Sequence, residues 1–177
     1  MYFCTLMQNH SLKYLIENIE KLPQIAKKSL PDIKSVFKKI KKKKPKDLDI
    51  SVHNLHDEYF EEVDCLSCGN CCRSLGPRIT DRDIDRLAKH LRIKPSAFVE
   101  KYLQIDEDKD YVFKSMPCPF LDDDNYCLVY EHRPKACREY PHTDRPKFIQ
   151  ILDLSLKNCE TCPIVLKVCE NISRKYS

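Results

Sequence analysis

The sequence predicts a mainly α (α+β) protein, and three observations support this. Apolar residues recur at helical spacing along most of the 177-residue chain. One stretch, residues 104–130, instead has the aromatic and β-branched runs typical of strands. Nine of the eleven cysteines fall between residues 65 and 162. We therefore expect an N-terminal helical arm over residues 1–47, followed by a small helical cysteine-cluster domain with one β-hairpin or small sheet over residues 48–177.

Composition and length restrict the class of protein. With 42% hydrophobic and 33% charged residues, the chain suits one modest core plus an appendage, which leaves no room for a second large catalytic domain. No signal-peptide pattern and no apolar run near the roughly 18 residues of a spanning helix are present, so we expect a cytoplasmic protein without a membrane span. In a reducing compartment its cysteines are free to bind metal rather than to form disulfides.

Two amphipathic segments predict a helical hairpin in the arm. The first should end near Pro23, and the second should begin at Pro31, since proline is favoured at the first helical position. Their apolar stripes are Leu12, Leu15, Ile16, Ile19 and Leu22 in the first and Ile33, Val36, Phe37 and Ile40 in the second. Met7 precedes the first pattern, which makes residues 1–6 a candidate upstream extension and Cys4 a poor candidate ligand.

The arm is basic, whereas the rest of the chain is acidic. Residues 1–47 contain 12 lysines and 4 acidic residues, and residues 48–177 contain 19 basic and 23 acidic residues. Seven lysines lie between Lys38 and Lys46, and such a run could bind nucleic acid or an acidic membrane surface. Because no aromatic residue or arginine interrupts the run, we favour a solvated helix end whose cations suit the helix dipole, and we expect no nucleic-acid partner.

A third helix should lead into the cysteine motif. Its apolar face consists of Val52, Leu55, Tyr59, Phe60 and Val63. His53 and His56 lie three residues apart on this helix and could bind a metal. We favour a structural role for both, because thiols are abundant nearby.

The strongest signal is the run Cys65-Leu66-Ser67-Cys68-Gly69-Asn70-Cys71-Cys72. Two residues between cysteines allow successive thiolates to converge on one centre, and Gly69 permits a tight turn that leaves amides facing the sulfurs. The spacing of Cys65, Cys68 and Cys71 matches the first three ligands of a bacterial ferredoxin-type iron–sulfur run. Adjacent Cys71 and Cys72 should point in different directions and serve different roles.

The fourth ligand of such a run precedes a proline, and Cys118-Pro119 and Cys162-Pro163 provide that pair here. We expect a metal or cluster bound by Cys65, Cys68 and Cys71, with a fourth ligand among Cys72, Cys118, Cys127, Cys137 and Cys162.

Local signals place the remaining helices. Thr80 should cap a helix with Asp83 three positions on, and Lys94-Pro95 should start another. Pro134 should open a short helix that carries Cys137 back toward the motif, and Cys162-Pro163 should open a C-terminal helix.

The strand-like runs are Tyr111–Phe113 and Tyr126–Tyr130, separated by an acidic turn. The three aspartates Asp122–Asp124 could bind calcium, but they lack the spacing and glycine of a calcium loop, so we favour a solvated turn.

Two arginines flank Cys137. Arg133 and Arg138 could offset the negative charge of thiolates, or they could pair with a carboxylate such as Glu131. The sequence leaves both interpretations open.

The combined pattern resembles the CxxCxxCC (YkgJ-like) cysteine-cluster family of zinc- or iron-chelating domains. It consists of the motif at Cys65–Cys72, Cys118-Pro119-Phe120-Leu121, the stretch from Cys127 to Pro141, and Cys162-Pro163-Ile164-Val165. The resemblance covers roughly residues 60–170. It implies a ligand set of eight cysteines, namely Cys65, Cys68, Cys71, Cys72, Cys118, Cys127, Cys137 and Cys162. Cys4, Cys159 and Cys169 lie outside that set, although Cys159 is close enough to replace Cys162.

The resemblance also implies a relation to flagellin lysine N-methylases, in which the cysteine motif looks like a 4Fe-4S site used with S-adenosylmethionine. This chain lacks the extra length of those enzymes, and no complete catalytic domain is visible in it. A methylase-related activity is therefore implied by the family resemblance alone, and the sequence leaves open whether the protein is an enzyme.

Two classes of function follow. The first is a 4Fe-4S iron–sulfur protein that acts in electron transfer, or that serves a methyl-transfer or radical enzyme as its protein partner. The second is a zinc-binding structural or adaptor module that docks a partner with its basic arm. Eight cysteines could supply one cubane, one cubane plus one zinc, or two zinc sites. We favour iron–sulfur because of the ferredoxin-like spacing and the implied methylase relation.

Overall fold

The computed structural model describes residues 11–177, and helices dominate this range. Its ten α-helices, numbered in chain order, are α1 (Leu12–Glu17), α2 (Leu22–Lys43), α3 (Leu48–Glu62), α4 (Cys65–Cys68), α5 (Asn70–Ser74), α6 (Asp81–Leu91), α7 (Pro95–Tyr102), α8 (Lys135–Glu139), α9 (Leu152–Asn158) and α10 (Pro163–Lys175). Short 3-10 helices occupy Ile19–Lys21, Tyr130–His132 and Phe148–Ile151. The strands β1 (Leu103–Ile105) and β2 (Tyr111–Phe113) form an antiparallel pair. The predicted mainly α (α+β) fold is confirmed, and no helix in this range is long and apolar enough to cross a lipid bilayer.

The chain divides into two compact units. The first unit consists of Met1–Asp64 and Pro141–Ser177, and the second consists of Cys65–Tyr140. The sequence had placed a boundary between residues 47 and 48, which coincides with neither boundary between these units. That division into an arm and a domain stays a prediction. Cys4 and Met7 lie outside the described residues.

The first unit has a large apolar core around its C-terminal helix. Helix α10 is buried along most of its length and packs against α2, α3 and α9. Helix α2 contributes one stripe at helical spacing, formed by Leu22, Ala26, Ile33, Val36, Phe37 and Ile40. Helix α3 buries Leu48, Val52 and Tyr59 and packs the predicted residues Leu55, Phe60 and Val63 against the same core.

The predicted hairpin within residues 12–40 is wrong, because one helix continues through Pro31. Helix α2 has Pro23 near its start and Pro31 in its interior. Proline deprives the carbonyl four residues earlier, that of Lys27, of its helical hydrogen bond. Both Pro31 and Lys27 are exposed, so water can satisfy that carbonyl. The apolar stripe that continues on both sides of Pro31 holds the helix together.

The lysine run forms the end of α2. Lys41, Lys42 and Lys43 occupy the last turn, and Lys44 closes the helix with a left-handed backbone conformation. Lys41 pairs with Asp153 across 2.7 Å. Cations at a helix C-terminus interact favourably with the helix dipole. The favoured interpretation of these lysines as a helix end therefore agrees with the structure.

The second unit has its own, smaller core. It is formed by the buried residues Ile79, Ile84, Leu87, Ala88, Phe98, Leu103, Phe113, Phe120 and Val129. Helix α6 begins as predicted, because Thr80 and Asp83 exchange the two hydrogen bonds of a capping box. Helix α7 begins at Pro95 as predicted and buries Phe98. The ring of Phe120 packs against Phe98 and Phe113, which ties the cysteine-bearing segment to the core.

The two strands are only partly those that the sequence predicted. Tyr111–Phe113 is a strand, but its partner is Leu103–Ile105 rather than Tyr126–Tyr130. The segment after the acidic turn forms a single bridge, from Cys127 to Leu121, and then enters a 3-10 helix. Asn125 has φ +68°, and this left-handed residue turns the chain directly before the predicted strand.

Candidate metal centre

The cysteine motif folds as two short helices joined by Gly69. Cys65–Cys68 forms α4 and Asn70–Ser74 forms α5. Gly69 has φ +56°, and the Cβ of any other residue would lie 2.6 Å from Nη1 of Arg73 and 2.9 Å from Oδ1 of Asn125. Glycine is therefore favoured here by its backbone conformation, and any other residue would also have to displace the ends of the Arg73 and Asn125 side chains. This agrees with the tight turn predicted at Gly69.

Cys71 and Cys72 lie side by side on α5. Their sulfur atoms are 3.9 Å apart, so the expectation that the two thiols point in different directions is wrong. The Cys71 thiol favours the thiolate form of Cys72, burial opposes it, and the charges of Arg73 and Arg133 support it. The pKa of Cys72 is lowered as a result to about 7. Cys72 is therefore partly ionised near neutral pH.

Backbone hydrogen bonds bring the downstream cysteines to this motif. The amide of Cys118 donates to the carbonyl oxygen of Cys72 across 2.8 Å. Two contacts then hold Cys127 close to the segment that follows Cys118. Cys127 forms an isolated β-bridge with Leu121, and the Leu128 amide donates to the Phe120 carbonyl across 2.9 Å. The chain between Cys118 and Cys127 is therefore a closed loop with one cysteine at each end.

Cys137 is positioned by a buried network that the sequence did not reveal. Asp83 is 1% exposed, and its Oδ1 accepts hydrogen bonds from the Lys135 amide at 3.0 Å and from Arg86 at 2.5 Å. Arg86 also donates to the carbonyl oxygens of His132, at 3.3 Å, and Arg133, at 2.9 Å. Helix α6 thereby holds residues 132–135, which lead into the first residue of α8 and end two positions before Cys137. The capping signal at Thr80 and Asp83 identified this carboxylate only as a helix cap.

Three of the thiols receive a backbone hydrogen bond from the residue two positions ahead. The amides of Asn70, Phe120 and Val129 bond to the sulfurs of Cys68, Cys118 and Cys127 respectively. Each bond favours the thiolate over the thiol. Amide groups that face sulfurs were predicted for the Gly69 turn, and the same arrangement recurs at the two downstream cysteines.

Six cysteines form what we call the thiol cluster: Cys68, Cys71, Cys72, Cys118, Cys127 and Cys137. A thiolate at Cys72 raises the pKa values of Cys68, Cys118, Cys127 and Cys137, although burial is the largest cause at each. The pKa of Cys118 is raised to about 11 and that of Cys137 to about 12. Mutual repulsion of this kind is relieved when a cation binds among the thiolates.

Two predicted ligands are placed differently from these six. Cys65 is exposed at the start of α4. Cys162 belongs to the first unit, where it is the residue before α10, as the sequence predicted. Cys159 and Cys169 are buried near it, and the thiol of Cys159 donates to the Ser155 carbonyl across 3.2 Å. Ligation by Cys65 and Cys162 stays a prediction.

The other candidate ligands have structural partners. His56 Nδ1 lies 2.7 Å from Oγ1 of buried Thr143, and His53 Nε2 lies 3.1 Å from the carbonyl oxygen of Arg145. In the acidic turn, Oδ1 of Asp122 accepts from the Asp123 amide and Oδ1 of Asp124 accepts from the Tyr126 amide. The favoured structural interpretation of both sets agrees with these contacts.

The donor set fits a soft or borderline metal. Thiolates are the ligands of zinc in structural sites and of iron in iron–sulfur clusters. The amide bonds to Cys68, Cys118 and Cys127 and the positive charge of Arg133 both favour thiolates in this unit. Within residues 11–177, no three cysteine, histidine or acidic side chains already stand in the arrangement that would hold one metal ion. The agreement between this site and a zinc ion or iron–sulfur cluster therefore rests on the chemistry of the thiol ligands and on the hydrogen bonds to them.

These features define a small, mainly helical, cysteine-rich metal-binding domain. The model of the CxxCxxCC family, described as "Putative zinc- or iron-chelating domain", matches residues 64–164, which is more than half of the chain. The protein therefore belongs to the CxxCxxCC family, and the match supports a cysteine-ligated metal-binding role. No curated protein and no solved structure matches the chain. The relation to flagellin lysine methylases implied by the sequence stays a prediction.

Proposed function

We propose that the protein carries a 4Fe-4S iron–sulfur cluster and acts in electron transfer, or as the cluster-bearing partner of a methyl-transfer or radical enzyme. The observation that supports this is the gathering of five thiols around Cys72, with amides bonded to the sulfurs of Cys68, Cys118 and Cys127. Such a cluster, when bound, supplies one-electron transfer.

The ligands would come from the thiol cluster, with Cys65 and Cys162 as the further candidates that the sequence predicts. Within the thiol cluster, the chain itself performs three tasks. Gly69 and the Cys118–Cys72 backbone bond orient the thiols, the amide–sulfur bonds favour ionised sulfur, and partial burial of the thiols limits contact with water. Hydrogen bonds to sulfur and solvent exposure are among the factors that set the reduction potential of an iron–sulfur centre.

A zinc site is the second candidate, and one observation favours it. The pKa of Cys137 is raised by burial and by charge on Cys118, Cys72 and Cys127, so four thiols lie close enough to repel one another when ionised. Four thiolates around one ion are the usual ligand set of a structural zinc site. In this alternative the protein is a structural or adaptor module, and the lysines at the end of α2 would contribute to docking a partner.

Anaerobic purification of the full chain tests the proposal. We expect iron and inorganic sulfide in equal amounts, broad visible absorption, and a paramagnetic resonance signal after chemical reduction. Stoichiometric zinc without visible absorption would contradict the iron–sulfur proposal and favour the zinc alternative. C72S should lose most of the bound metal or cluster, whereas C4S, outside the matched segment 64–164, should retain it.

A further inference from the structure

Arg133 contains a buried donor without a partner. Its Nη1 atom is excluded from solvent and makes no hydrogen bond to any residue in the described part of the chain. A guanidinium nitrogen left in this state loses its hydration without compensation, which is costly and uncommon in folded proteins. The position of this atom therefore needs an explanation.

The arginine is held firmly in place. Its guanidinium stacks on the ring of Tyr130, 3.6 Å from the ring centroid. Its carbonyl oxygen accepts hydrogen bonds from Arg86 at 2.9 Å and from Arg138 at 2.8 Å. A stacked, planar guanidinium presents its N–H groups in a fixed direction, so little freedom is lost when an acceptor arrives.

Three thiols lie within electrostatic range of this guanidinium. The positive charge of Arg133 lowers the pKa values of Cys72, Cys127 and Cys137, which places the guanidinium near these thiols. Arg133 forms no ion pair with Glu131 or any other carboxylate within residues 11–177. Of the two partners that the sequence left open, the thiolates are the ones that the surroundings of Arg133 favour.

We propose that Arg133 is a positioning residue for the metal centre, donating from Nη1 to a sulfur of the loaded centre and offsetting its negative charge. This inference rests on the proposed metal-binding function, whether the metal is iron or zinc. Four thiolates around Zn²⁺ carry a net charge of about −2, and an anion of that kind is costly in a partly buried site. One fixed cation beside it lowers that cost.

The test compares R133M with R82M in the full-length chain. Methionine keeps an unbranched apolar stem against Tyr130 but removes the charge and the donors. Arg82 is an exposed arginine on α6 of the same unit, so R82M removes the same charge from the surface of that unit. The probes are Co²⁺, read by its thiolate absorption, and Zn²⁺, measured by competition with a chelator. We expect R133M to weaken the apparent affinity for Zn²⁺ by about tenfold or more, and R82M to change it by less than about twofold.

A second measurement separates this role from a purely structural one. Without metal, R133M should unfold at the wild-type temperature or above it, because the variant no longer buries an unsatisfied donor. A structural role predicts the opposite, a less stable metal-free protein. R133K keeps the charge but not the planar fork, and its affinity should fall between those of the wild type and R133M.

The outcomes also separate this inference from the proposed function. If the wild type binds neither Co²⁺ nor Zn²⁺ and contains no iron, both fail. If the wild type binds metal and R133M binds it equally tightly, only the role of Arg133 fails. A metal-free R133M protein that is less stable than the metal-free wild type would also overturn the inference.

Discussion

The amide of Cys118 donates a 2.8 Å hydrogen bond to the carbonyl oxygen of Cys72. This bond joins the end of the cysteine motif to the start of the Cys118–Cys127 loop through backbone atoms alone. The two thiols are therefore brought to the same region by the fold, and part of the entropy of closing the intervening loop is lost before metal binds. Metal binding to such a site should depend on the local backbone as much as on the number of thiols.

A side chain at residue 69 should destabilise the second unit. G69A places a residue with a Cβ at φ +56°, which costs about 1–2 kcal/mol, and moves Arg73 from its hydrogen bonds to the Cys68 carbonyl and to Asn125. We expect G69A to lower both the stability of the second unit and its metal content. Denaturant unfolding and metal analysis measure the two effects.

Gly76 offers a matched control. A Cβ at Gly76 would find its nearest neighbour at 3.9 Å, and the residue lies outside the left-handed region. G76A should change the free energy of unfolding by no more than about 0.5 kcal/mol. Equal effects of the two substitutions would refute a specific preference for glycine at residue 69.

Local signals predicted much of the fold, and contacts distant in sequence account for most of the misses. The capping box at Thr80 and Asp83 and the helix that begins at Pro163 depend on neighbouring residues, and both were predicted correctly. Pro31 was misread because the burial of α2 on either side of it outweighs the local cost of proline. The strand at Leu103–Ile105 was missed because its pairing with Tyr111–Phe113 ends a helix that propensity alone would extend.

The same distinction applies to the candidate site. The cysteines were evident from their spacing, but the central position of Cys72 depends on a helical α5 and on a backbone bond to Cys118. The second function of Asp83 could not be predicted, because its other partner, the Lys135 amide, is 52 residues away in sequence. Sequence spacing identifies the candidate metal ligands, whereas tertiary contacts determine how these ligands are positioned.

The carboxylate of Asp83 should be among the most important polar groups in the second unit. Burial opposes its ionisation, but hydrogen bonds from Thr80, the Lys135 amide and Arg86 outweigh burial and lower its pKa. In D83N the amide nitrogen cannot accept these bonds, so we expect the free energy of unfolding to fall by about 3 kcal/mol at neutral pH. Asp81, exposed in the first turn of the same helix, is the control, and D81N should cost about 0.3–1 kcal/mol.

The pH dependence of this difference follows from the lowered pKa. A carboxyl group whose pKa is lower in the folded state stabilises the fold above its unfolded pKa of about 3.8. That stabilisation disappears as the pH falls through the folded-state pKa. Urea unfolding of wild type and D83N at neutral pH and at successively lower pH below 3.8 should show the two proteins converging. A constant difference down to the lowest pH would contradict the assigned role.

Metal uptake by the thiol cluster should release protons and become tighter as pH rises. The pKa values of Cys118, about 11, and Cys137, about 12, keep both thiols protonated at neutral pH, so each must lose its proton to bind a metal. Cys72, with a pKa of about 7, also contributes a proton below that pH but is already ionised above it. The number of protons released per metal should therefore fall by about one as the pH rises through 7.

Competition titrations with Zn²⁺ at several pH values on both sides of 7 measure this number from the slope of log affinity against pH. Calorimetry in buffers of different ionisation enthalpy gives it independently. The residual Zn²⁺ binding of C72S should show no change of slope near pH 7, whereas C4S should retain it. An affinity that does not vary with pH would show that the binding groups are already ionised, and it would contradict the raised pKa values.

Removal of metal should loosen the second unit and leave the first largely intact. The first unit has an extensive apolar core between α2, α3, α9 and α10, and only Cys162 among the predicted ligands belongs to it. The second unit has nine buried hydrophobic residues and contains the other seven predicted ligands, several of them on short elements such as α4, α5 and α8. In small cysteine sites, metal-binding free energy is partly folding free energy, on the order of 10 kcal/mol for structural zinc.

Hydrogen exchange on metal-loaded and chelated protein should show loss of protection within residues 65–140, while amides in α2, α3 and α10 stay protected. Uniform loss across both units would show a single cooperative structure and refute this prediction, and protection unchanged everywhere would show that metal contributes nothing to the fold.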